Sequence, residues 1–76
     1  MRTSFNQPER DLLTKNGWQV GDAVAGKNYH EIIKRSDTEI EVKVAVINDD
    51  EINDYWEWDS SWTTVERAIQ YCKDRA

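Results

Sequence analysis

A chain of 76 residues with 15 acids and 10 bases has room for one hydrophobic core, and so for a single small domain over residues 1–76. Its lone cysteine, Cys72, excludes an intrachain disulfide, and a net charge of −5 argues against a surface that grips phosphate backbones, which needs a basic footprint. The opening MRTSFNQPER lacks the apolar core of a secretory signal, and the longest strongly apolar run, Val44–Ile47, is far too short to cross a bilayer; the expectation is a cytoplasmic protein with no membrane contact.

Residues 1–5 are expected to be a loose end. NQPERDLLTKNGW then predicts a short helix. Asn6 suits an N-cap, with Glu9 three residues on to complete a capping box. Pro8 is tolerated in the first turn. Gly17 stands where a helix stops in the left-handed conformation, which would bring Trp18 against Leu13 in a Schellman ending.

WQVGDAV reads as a first strand and Gly26–Asn28 as a turn. YHEIIKR fits either strand or helix; strand is preferred, because SDT makes a short hairpin loop into the clearest strand of the chain. In that strand, EIEVKVAVI, Ile40, Val42, Val44 and Val46 alternate with Glu39, Glu41 and Lys43. NDDEIND is a loop by composition, and YWEWD alternates again. SSWTTVERAIQYCKDRA predicts an amphipathic helix. Val65, Ala68, Ile69 and Cys72 form its stripe. Thr63 with Glu66 has capping-box spacing, and Ser61 is the competing cap. The expected class is α+β: a small antiparallel sheet of three to four strands, a short N-terminal helix and a C-terminal amphipathic helix, with the helices on one face.

The most suggestive motif, GDAVAGKN, nearly matches a phosphate-binding loop. Asn28 replaces the hydroxyl that should reach the metal, and too little follows to make the helix such a loop opens. A hairpin connection is the better reading. His30 is the only histidine, too few ligands for a zinc site. Cys72 lies on the apolar stripe of the last helix and reads as a small core residue. NDDEIND lacks the glycine and ligand spacing of a calcium loop. These residues assign no catalytic group, metal site or cofactor, and the protein is expected not to be an enzyme.

What remains is an acidic block. From Val44 to Val65 there are six acids and no base. If Tyr55–Asp59 is a strand, Trp56 and Trp58 share one face, expected to be the core, with Trp62 stacked below them. Emptying Trp58 would then cost about 3–5 kcal/mol. The same alternation turns Asp49, Asp50, Glu51, Asp54, Glu57 and Asp59 outward, a negative edge around Tyr55. The favoured expectation is a non-catalytic protein-binding module or inhibitor, a monomer or homodimer. This edge would dock on a basic surface of a partner protein, such as one that itself binds nucleic acid, as a nucleic-acid mimic would. Small inhibitors carried by phages and mobile elements have this character, an analogy of size and charge alone. The alternative is a ligand-binding module whose exposed Trp or Tyr stacks on a sugar or base.

Overall fold

The computed structural model describes residues 3–46 and 55–75. Helix α1 (Gln7–Lys15) is followed by strands β1 (Gln19–Val20), β2 (Val24–Lys27), β3 (His30–Ser36), β4 (Glu39–Val46) and β5 (Tyr55–Trp62), then helix α2 (Val65–Arg75). Each strand pairs antiparallel with the next in sequence, giving one sheet in the order β1-β2-β3-β4-β5. The class is α+β, with five strands where three or four were expected. The extra strand comes from a tight turn inside WQVGDAV. The Gly21 N–H donates to the Val24 carbonyl at 2.8 Å, and a Cβ at Gly21 would stand 3.0 Å from that same oxygen. Only glycine lets the chain turn so closely. Gly26 and Lys27 then belong to β2, and the turn falls one step later, at Asn28–Tyr29. Asn28 has φ +54°, a left-handed conformation asparagine tolerates.

Both ends of α1 form as expected. The Asn6 side chain accepts from the Glu9 N–H at 2.9 Å, and Glu9 Oε1 accepts from the Asn6 N–H at 2.8 Å. At the other end Gly17 has φ +86°. Its N–H reaches the Thr14 carbonyl at 3.0 Å, and the Trp18 N–H reaches the Leu13 carbonyl at 2.9 Å, the two bonds of a Schellman ending. Leu13 and Trp18 are both in the core. The segment before α1 is not loose at residues 3–5. Phe5 is buried, and its N–H donates to the Asp22 carbonyl at 2.8 Å. Burying the chain's one phenylalanine in so small a core outweighs the entropy of leaving the segment free.

Register assigns the two faces of the sheet. Ala25, Ile32, Val42 and Ser60 lie in line across β2–β5, as do Lys34, Ile40 and Trp62 across β3–β5. Their apolar members cluster with Leu13 from α1 and Val65, Ala68, Ile69 and Cys72 from α2. Both helices therefore cover this face. No helix lies on the other among the described residues.

One charge sits inside the covered face. Lys34 is almost wholly buried, and its ammonium lies 2.7 Å from Glu9 Oε1. That oxygen also accepts the Asn6 N–H, so one carboxylate caps α1 and pins it to β3. Glu9→Ala should cost about 3 kcal/mol, the low end for breaking a buried pair, because Glu9 keeps some contact with water. Adding Lys34→Met should recover much of that loss, since it removes a buried ammonium left with only the exposed Asp37 carboxylate 3.7 Å away. Urea unfolding of the parent and both variants checks this.

Candidate functional site

Strand β5 forms one edge of the sheet, and it departs from regular alternation. Val42 pairs with Ser60 but the next residue, Lys43, pairs with Trp58, leaving Asp59 unpaired as a bulge. An extra residue reverses the phase of everything beyond it. Trp62 and Ser60 face the helices. Trp58 and Trp56 fall instead on the uncovered face, beside Lys43 and Ala45. They are 59% and 44% exposed. The expectation of a buried Trp56–Trp58 pair is therefore overturned, and of the three β5 indoles only Trp62 packs against the core. The bulge also inverts the acids. Tyr55 and Glu57 share the helix-side face of β5 with Trp62. Both are exposed; Tyr55 pairs with Val46, beyond the start of β3 at His30.

The two serines of WDSSW serve the two nearest indoles. Trp58 Nε1 donates to Ser61 Oγ at 3.2 Å, and Trp62 Nε1 to Ser60 Oγ at 2.8 Å. Trp56 and Trp58 stand two residues apart, about 7 Å along the strand. Inward from them this face carries both signs of charge, with Glu31 opposite Lys43 and an ion pair between Arg35 and Glu41, and it is closed over at Ile33, which is fully buried. The site is thus an aromatic edge on a nearly neutral sheet face.

The bulge residue turns under α2. Asp59 is half-buried, with Oδ2 4.0 Å from Arg75 Nε and no hydrogen-bond partner for that oxygen among the described residues. The Arg75 guanidinium lies 5.2 Å from the centre of the Tyr71 ring, which meets Trp62 at 5.2 Å in a tilted pair. Burial, then the neighbouring Asp59 carboxylate, pushes the Tyr71 phenol up from its ordinary value. Of the seven residues expected to make a negative edge, Tyr55 and Glu57 share an exposed face and Asp59 is turned inward beneath α2. Asp49, Asp50, Glu51 and Asp54 lie outside the described residues.

Two features were missed in the sequence. One is a hollow of about 210 Å³ between β5 and α2, lined by Trp62, Arg67, Gln70, Tyr71 and Asp74. Its signal was present: Arg67, Gln70, Tyr71 and Asp74 recur at i, i+3, i+4, i+7 beside the core stripe. The α2 start is the other. β5 runs on to Trp62, and Thr64, not Thr63 or Ser61, takes the capping role. Its Oγ1 accepts from the Arg67 N–H at 3.2 Å. Extending the strand buries Trp62 against the core, which outweighs an earlier helix start.

A cleft of about 140 Å³ at the other end holds His30, Cys72, Lys27 and Lys73. Lys27 is engaged there, donating to the Asn16 carbonyl at the end of α1 at 2.8 Å, and so helps close that helix. Burial pushes the Cys72 thiol up to about 11, away from the thiolate a nucleophile needs. Among the described residues no three His, Cys, Asp or Glu side chains converge as metal ligands would. The GDAVAGKN stretch is turn and strand throughout. No family model, curated protein or solved structure matches the chain.

Two measurements check this geometry. Trp58→Ala should change stability by no more than about 0.5 kcal/mol, as for other surface positions. Trp62→Ala should cost about 2–4 kcal/mol, slightly below the range for a fully buried indole. Chemical denaturation of both variants separates the two faces of β5. The second check is pH. The Cys72 thiol is held above its ordinary value of 9.0, at about 11, so the folded state favours the neutral form. Its contribution to stability is complete below pH 9 and is lost as pH rises through 11. Midpoints of denaturation measured from pH 8 to 11 should fall, and Cys72→Ala should remove this part of the decline.

Proposed function

We propose that this chain is a non-catalytic module that binds a partner protein through β5, and that the partner's contacting surface is basic. The observation that carries the reading is the pair Trp56 and Trp58, set side by side in solvent on the uncovered face of an edge strand. Two large indoles left in water cost a small protein solubility and contribute nothing to its core. Protein interfaces concentrate their binding energy in such residues. Charge supports the same reading. β5 has no base; its Glu57 is exposed on the face opposite the indoles and its Asp59 is turned beneath α2, within a span from Val44 to Val65 that has six acids. Such a field speeds encounter with a basic surface. It also repels nucleic acid, so the partner is a protein and not a phosphate backbone.

The exposed indoles favour a second reading as well. A neutral sugar ring could stack on Trp56 or Trp58, with Ser61 and the charged residues of β4 supplying polar contacts. Salt discriminates the two. Docking on a basic protein weakens as the screening length falls to about 3 Å near 1 M salt; stacking on a neutral sugar is nearly indifferent to it.

The test is affinity capture with the parent and with the Trp56→Ala/Trp58→Ala double variant, which should fold as stably as the parent. A species retained by the parent, lost from the variant and eluted by 1 M salt is the expected result. Equal capture by both proteins would remove β5 from the interface.

A further inference from the structure

We infer that β5 receives an extended, arginine- or lysine-rich peptide segment of the partner as a sixth strand of the sheet. This rests on the reading of β5 as the docking strand and specifies how the partner is held. Three observations converge on it. First, β5 is eight residues long and, among the described residues, has β4 on one side only. In an antiparallel sheet alternate residues of an edge strand point their N–H and C=O groups away from the neighbour, so β5 presents a row of such groups outward. Edges are commonly blunted by bulges and charge. Here the bulge lies at Asp59, and Tyr55–Trp58 stays in regular register with β4.

Second, the space beside that edge is shaped on both faces. Side chains of an added strand alternate between the two sides of the sheet. On the helix side they would enter the hollow between β5 and α2, whose floor is the Trp62–Tyr71 ring pair. On the uncovered side they would lie against Trp56 and Trp58, where a guanidinium or ammonium over the ring face is favoured. The backbone pairs supply affinity and the alternate pockets supply selectivity, as in strand addition generally.

Third, charge selects the occupant. β5 carries two acids and no base: Glu57 is exposed, and Asp59, turned beneath α2 toward Arg75, adds to the negative field without being open to an added strand. A basic strand complements this charge. A second copy of this chain does not. Pairing two β5 strands would bring the exposed Glu57 of both copies onto one short ladder, and like charges across a ladder are destabilising.

The probe is a ten-residue peptide with Arg and Val in alternation, titrated into the full chain and followed by tryptophan fluorescence. A matching Glu–Val peptide is the charge control. Two further analogues carry N-methyl groups on either the Arg or the Val amides, so that each blocks one edge of the peptide. The expected result is saturable binding of the Arg–Val peptide and none of the Glu–Val peptide. One N-methylated analogue should bind at least ten-fold more weakly, and the other within about two-fold of the parent peptide. Binding of both methylated analogues as tightly as the parent peptide would overturn strand addition, while leaving a side-chain interface on Trp56 and Trp58 intact. Loss of peptide binding in the Trp56→Ala/Trp58→Ala variant joins the two readings. Failure of the Arg–Val peptide to bind at millimolar concentration overturns the sixth-strand proposal, and the capture experiment still tests the broader reading. Sedimentation of the chain alone as a dimer that the peptide does not dissociate would assign the edge to a second copy and overturn it as well.

Discussion

The surface of this protein depends on one unpaired residue. Strict alternation back from Trp62 would set Ser60, Trp58 and Trp56 on one face of β5. The bulge at Asp59 interrupts that count, so Ser60 and Trp62 meet the helices while Trp58 and Trp56 face away. A bulge costs part of a ladder and exposes large apolar area. What it gains locally is visible. Asp59 turns toward Arg75 and Tyr71, and each serine that follows takes one indole N–H. The covered face is already filled by Ile32, Ile40, Val42 and the α2 stripe, so two more indoles would overpack it.

The rest of the fold holds β5 in a position where that inversion matters. α2 leans on β3, β4 and β5 through Val65, Ala68, Ile69 and Cys72. α1 is tied by the Glu9–Lys34 pair and closed at its far end by Lys27 on the Asn16 carbonyl. A domain of this size has little apolar area to spare, and polar links at defined points let α1 add to the core without a long apolar face. Both helices lie on one side of the sheet, and that leaves the aromatic edge open to solvent.

Much of this was legible in the residues, for physical reasons. α1 announces both its ends because caps are local chemistry: Asn6 with Glu9, then Gly17 between Leu13 and Trp18. The core face of β4 follows from alternation in EIEVKVAVI, and that of α2 from the spacing of Val65, Ala68, Ile69 and Cys72. The Gly21 turn that divides the first strand was harder to see, since GDAV carries no proline or paired glycine to mark it. Lys34 was invisible as a buried residue, because its partner lies in a helix 25 positions earlier. The site itself was half legible. Composition singled out the stretch around Trp56 and Trp58, but a bulge leaves no compositional mark, and counting by two assigned its faces in reverse. Of the two rings that floor the hollow beside β5, Trp62 was visible only as a core residue, and Tyr71 lay outside the stripe the spacing marked.

The central claim is that Trp56 and Trp58 are in water while Trp18 and Trp62 are packed. Acrylamide quenching of tryptophan emission, compared between the parent and a Trp56→Phe/Trp58→Phe variant under native conditions, addresses it directly. The account predicts that the parent emits with a red-shifted, strongly quenched component. The variant should lose that component and retain only blue-shifted, protected emission, at unchanged thermal stability. A parent whose emission is uniformly blue-shifted and protected, with a variant that melts well below it, would contradict the account and return both indoles to the core.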